Sequence, residues 1–172
     1  GWSNLNVTDS EAIATLVTAA GTVRNPAGGA LSYALDSQYD YAVADNGAEY
    51  AVVWSQLVDG IYDILGARIS HSGILLTPNP IDITGSYLGD QTQPAIAWNG
   101  SRYLLVWRGG ESYAGTNWDI RAWPLDSALN KIGGTPKSIC VSVEEQGRPS
   151  VASNGGNFLV TWEDSRNAVS PY

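Results

Sequence analysis

Methionine is absent from this 172-residue sequence; cysteine, phenylalanine and histidine each occur once, and charged side chains make up only 15% of it. Each shortage excludes something. A lone cysteine, Cys140, cannot form an internal disulfide, and its setting in Lys137-Ser138-Ile139-Cys140-Val141 is that of a small buried hydrophobe rather than a reactive thiol. Nine Lys and Arg stand against 17 Asp and Glu, for a formal net charge of −8. This argues against a surface for nucleic acid or anionic membranes, since both require clustered cations. No run of 18 apolar residues occurs, so no helical membrane span is expected. The sequence opens on Gly1 rather than Met, and we expect a processed or excised segment of a longer precursor.

What is plentiful is Trp, Tyr, Gly and Pro: seven, nine, 19 and eight residues. Trp and Tyr pair a large apolar body with a polar edge and suit half-buried sheets and binding faces. Frequent Gly and Pro with few charges point to many short strands joined by turns. An internal repeat organises them. Asn-Gly recurs at Asn46-Gly47, Asn99-Gly100 and Asn154-Gly155, each followed by an apolar run ending in Trp54, Trp107 or Trp162, a period of roughly 53 residues. Each unit opens on a glutamine: Gln38, Gln91 or Gln146.

The two halves of an Asn-Gly unit read as a hairpin, with Asn and Gly both tolerant of the positive φ that a type I′ turn demands. A second half follows each Trp. It is Asp63–Ile69, a Ser-His-Ser-Gly73 turn and Pro80–Ile83 in one copy, and Asp119–Leu125 and Pro136–Ile139 in the next. The remaining second half lies at the N-terminus, from Glu11 to Leu31. The expected organisation is one all-β domain over residues 1–172. Within it, a half repeat spans 11–32, full repeats span 38–84 and 91–141, and a complementary half spans 146–162. Four strands per repeat give twelve, nominally three four-stranded sheets, with second and third strands joined by loops at Ser55–Tyr62 and Arg108–Trp118 and, where the ends of the chain would meet, by a much longer connection from Glu163 through Tyr172 and Gly1 to Ser10.

The run Pro94-Ala95-Ile96-Ala97-Trp98-Asn99-Gly100, then Tyr103-Leu104-Leu105-Val106-Trp107, with Asp63-Ile64-Leu65-Gly66-Ala67-Arg68-Ile69 and a Ser-x-Ser-Gly turn, resembles tandem repeats of bacterial surface proteins. These are similar to the blades of sialidase-like, BNR-type β-propellers. The resemblance covers essentially the whole chain and implies four-stranded blades around a central axis. It implies no activity, because such blades host many functions. The Asp-box turn of that superfamily is replaced by Ser70-His71-Ser72-Gly73, and the three converging Arg and Tyr/Glu pair of sialidase catalysis find no counterpart among the nine cations. A non-catalytic chain is expected. Three blades are too few for a ring. They form half of a six-bladed propeller completed by a second copy or a sister fragment, or a piece of a larger ring, or three sheets closed as a β-prism or β-trefoil.

Candidate ligand groups follow from placing loops on one face. Most acids fall there, and Asp59, Asp63, Asp119 and Asp164 are the candidate ligands for Ca²⁺, which takes six to eight oxygens. The acid opening each third strand (Glu11, Asp63, Asp119) also reads as a structural acceptor for a neighbouring turn. Trp2, Tyr62, Tyr87, Tyr113 and Trp118 form a candidate aromatic platform for stacking on sugar rings. His71, in a turn on the opposite face, has no triad partners in the sequence. Asn6, in Asn6-Val7-Thr8, is the credible N-glycosylation acceptor, whereas the Asn99 sequon belongs to turn chemistry. The expected role is a secreted or cell-surface binding and assembly module. A lectin-like glycan binder and a fragment of a glycoside hydrolase are the alternatives.

Overall fold

The computed structural model describes residues 12–32, 37–85, 87–110 and 118–166. They contain twelve strands and no helix. A short antiparallel pair, β1 (Ile13–Ala14) and β2 (Gly29–Ala30), comes first. Two four-stranded antiparallel sheets follow: β3 (Gln38–Asp45), β4 (Glu49–Val58), β5 (Ile61–Ser70), β6 (Ile81–Asp82), then β7 (Gln91–Trp98), β8 (Tyr103–Gly110), β9 (Trp118–Leu125), β10 (Lys137–Cys140). A second pair, β11 (Gln146–Ser153) and β12 (Phe158–Asp164), completes the set. Within each sheet, every strand neighbours the next in sequence. The expected third sheet is thus divided, its first two strands at one end of the chain and its last two at the other.

The repeat phase is written into the pairing. After each third strand an isolated bridge closes a tight turn, Val17 to Val23, Ile69 to Leu75 and Leu125 to Lys131. The fourth strand returns opposite equivalent residues, Gly29 to Ala14, Ile81 to Gly66 and Lys137 to Ala122.

The sheets pack face to face, because strand alternation sends successive side chains to opposite faces and both faces are apolar. Ala12 and Leu31 of the N-terminal pair meet Val52, Trp54 and Leu65. The opposite face of the same sheet, Ala51, Val53, Ile64 and Ile83, meets Ile96, Tyr103, Leu105, Trp107 and Trp123. Val106, Ile120 and Ala122 then meet Val151, Val160 and Trp162. Each repeated Trp therefore points back to the sheet before its own. Trp54 and Trp107 are fully buried, while Trp162 is half-buried. The first strands β3, β7 and β11 lie side by side.

The three Asn-Gly turns differ from the expected type I′ pattern. Gly47, Gly100 and Gly155 have φ of +89°, +92° and +88°, but the preceding Asn does not enter the left-handed region. Each Asn instead opens a four-residue loop, its side-chain oxygen accepting the N–H of the second and third following residues, as Asn46 does from Ala48 and Glu49 at 2.9 Å. Carboxamide capping thus replaces a second positive φ. The I′-like turn lies elsewhere. β4 and β5 form one continuous ladder to Val58 opposite Ile61, closed by Asp59 (φ +50°) and Gly60 (φ +87°). The loop expected at Ser55–Tyr62 is a two-residue hairpin instead.

Candidate functional site

Of the expected aromatic platform, Trp2 and Tyr113 lie outside the described residues, as do Asn6 and Glu11. Tyr62 and Trp118 occupy equivalent positions, one residue before Asp63 and Asp119, at the same end of neighbouring sheets. Neither presents a free ring. Tyr62 packs against Tyr39 with centroids 6.1 Å apart, and the Arg108 guanidinium lies 4.0 Å over the Trp118 ring. Tyr87 follows β6, its backbone N–H donating to the Thr84 carbonyl. Of the five, the structure thus sets Tyr62 and Trp118 at one end of neighbouring sheets, each already in contact within the chain.

The four candidate Ca²⁺ ligands are not brought together either. Asp59 is an exposed hairpin residue. Asp63 is buried and accepts the Thr84 hydroxyl at 3.2 Å. Desolvation pushes its carboxyl up to about 6, with Asp82 and Asp90 adding to the rise. Asp119, the equivalent residue, pairs with Arg121 at 3.0 Å and accepts the Ser142 N–H at 3.3 Å. Asp164 is clasped by Arg166, which holds its carboxyl down at about 2. Among the described residues, no group of three or more His, Cys, Asp or Glu is arranged to hold a metal ion. Asp63 and Asp119 play the structural part anticipated for the acid opening each third strand: both tie it to the segment after the fourth.

His71 lies in its turn beside Asp45, with Nε2 at 3.0 Å from the carboxylate, and against Tyr50. Asp45 is pulled below the ordinary carboxylate range, by the Gly47 N–H first and the His71 hydrogen bond second. Among the described residues, the hydrogen-bond partner of the imidazole is Asp45.

Two repeated features escaped the sequence reading. Gln38, Gln91 and Gln146 are all buried. Gln38 accepts the Ala12 N–H from the neighbouring pair, Gln91 accepts the Trp107 indole N–H, and Gln146 donates to the Glu144 carbonyl. Where Gln91 reaches the indole, the residue two past the Trp is Gly109, and a Cβ there would stand 2.8 Å from the Gln91 amide oxygen. In the other copies Gln56 and Asp164 occupy that place and accept the indole N–H themselves. The second feature is a bulge in every first strand. The registers shift between Tyr39 and Ala42, Thr92 and Ala95, and Gly147 and Ser150, around Asp40, Gln93 and Arg148 at φ of +54°, +54° and +48°. These bulges are linked across sheets. The Gln93 N–H donates to Asp40 at 3.3 Å, and the Arg148 N–H to Gln93 at 2.7 Å.

Among the described residues, an apolar groove of about 830 Å³ lies between β1 and the face of β3 and β4, floored by Val52 and walled by Ile13, Leu16, Tyr41 and Val43. Val43 and Val52 line it, and the equivalent Ile96 and Leu105 of the next repeat are buried. Val43 is 62% exposed, whereas the equivalent Ile96 is 7% exposed. At the far end of the stack, Leu159 of β12 is 68% exposed, whereas the equivalent Ala51 is 1% exposed. No family model matches the chain, and no curated protein does.

Proposed function

We propose that this chain is a propeller segment acting as a non-catalytic binding and assembly module, completed into a six-bladed ring by a second three-repeat chain. The observation that carries this reading is the split sheet. β1–β2 has the third and fourth strands of a repeat and β11–β12 the first and second, and among the described residues each ends in an unpaired edge. Open edges with apolar faces invite strand addition, in which main-chain hydrogen bonds supply much of the affinity. Face-to-face sheets with the first strands adjacent favour a radial arrangement over a prism, because the linked bulges of β3, β7 and β11 then run around one axis. The resemblance of the repeats to bacterial surface proteins supports a role outside the cell. The non-catalytic reading is supported by the structural hydrogen bonds that occupy Asp63 and Asp119. Light scattering on the 18.3 kDa chain should report about twice that mass. A stable monomer at tens of micromolar would sink the assembly reading.

A further inference from the structure

We infer that the apolar groove between β1 and β3 is the docking site for the β11–β12 hairpin of a second copy, whose exposed face fills it in a defined register. The inference rests on the assembly reading above and adds where and how the copies meet. Its template lies inside the molecule, because the two complete junctions between sheets present what the groove lacks. Where β7 packs on the sheet before it, Ile96 is covered by Ala51 and Val53, with Ala42 and Ala44 beside them. Where β11 packs on the sheet before it, Val151 is covered by Val106 and Leu104. Val43 is the same position on β3 and has no such cover.

Within the repeat, the residues that would cover it correspond to Ser150, Ala152, Leu159 and Thr161. All four are exposed on one face of β11–β12. A bare receiving surface and the bare face that repeats its missing cover thus occur at opposite ends of one chain. Apolar positions left open in this way mark an interaction site rather than ordinary surface.

The register follows from the same equivalence. Trp54, Val52 and Tyr50 of β4 stand opposite Leu65, Ala67 and Ile69 of β5. Trp107, Leu105 and Tyr103 of β8 stand opposite Arg121, Trp123 and Leu125 of β9. The bridges at Val17, Ile69 and Leu125 align β1 with these strands. An incoming β12 would then run antiparallel to β1, with Trp162 opposite Ile13, Val160 opposite Thr15 and Phe158 opposite Val17. Ile13 and Val17, both exposed in the single chain, would be covered by the second full sheet of the arriving copy.

Two variant sets test this in the 172-residue chain. Val43→Asp and Leu159→Asp place a charge at sites exposed in the monomer, so each should leave the circular dichroism spectrum unchanged and raise the dimer dissociation constant at least tenfold. In a Cys140→Ser background, Thr15→Cys with Val160→Cys should give a disulfide-linked dimer on mild oxidation with diamide. A dimer by mass that is neither weakened by the Asp variants nor bridged by the cysteines overturns the groove as the docking site while leaving assembly intact. A monomer removes both readings together. A bridge formed within one chain, seen as a faster-migrating monomer on a non-reducing gel, overturns the second copy as the occupant.

Discussion

Asp63 holds a charge where the fold resists it, and this gives a pH dependence of definite sign. Its carboxyl titrates near 6 in the folded chain, above the ordinary value of 3.8. Between these values the folded state binds more protons than the unfolded one, so stability falls as pH rises from about 4 to 6, by at most about 2–3 kcal/mol. Asp63→Asn keeps an oxygen for the Thr84 hydroxyl and removes the charge. In urea titrations the variant should gain about 1–2 kcal/mol over the parent at pH 7 and lose that advantage near pH 4. An advantage independent of pH would refute the burial argument. Asp164 behaves oppositely. Its depressed pKa contributes stability present above about pH 4 and lost as pH falls towards 2. The tryptophans differ by neighbourhood rather than by sequence. Trp107 is enclosed between two full sheets, so Trp107→Ala should destabilise by about 3–5 kcal/mol, and Trp162→Ala, half-buried, by distinctly less. Equal losses in a strictly monomeric preparation would contradict that ordering.

Among the elements, hairpins with a recurrent signature were legible and those without one were not. Asn-Gly followed by an apolar run and Trp marks β3–β4, β7–β8 and β11–β12, because turn chemistry and alternation coincide there. The short returning strands were found near Pro80 and Pro136 for the same reason. The Asp59-Gly60 hairpin leaves no such signature, because the other repeats carry no counterpart to reveal it. The bulges were invisible because Asp40, Gln93 and Arg148 share a backbone conformation and no side-chain chemistry. The buried glutamines did leave a signal, recurrence at one position, but a polar residue opening a strand reads as solvent-facing until its partners are known. The two turn types make separable predictions. Gly100→Val, forced to φ +92°, should cost about 1–3 kcal/mol. Asn99→Ala removes the acceptor for the Ser101 and Arg102 N–H groups and should cost about 0.5–2 kcal/mol. If Asn99→Ala were neutral by thermal melting, the carboxamide cap would not be what shapes the loop.

For the whole molecule, each sheet touches only its neighbours, so stability should behave as a sum of repeat and junction terms, weakest at the two half-sheets. Association covers those ends, and the melting temperature should therefore rise with protein concentration over the micromolar range, as mass action requires. A melting temperature independent of concentration, together with a monomeric mass, would mean the ends are stable uncovered. The all-β architecture was readable because the repeat spans nearly the whole sequence, whereas the partners of the candidate ligand acids were not, since Asp63 and Asp119 share one repeat position yet meet different side chains, Thr84 and Arg121. The groove and its matching face have one more implication. They sit at opposite poles of the chain, so the contact is head-to-tail and nothing in the contact itself limits how many copies join. The rotation from one sheet to the next decides the outcome: about 60° per sheet returns the second copy to the first, and any sustained departure winds the same junction into an open fibre. The glycines that let neighbouring sheets approach closely, such as Gly66 between Ile83 and Leu129, would then govern polymer length as much as stability.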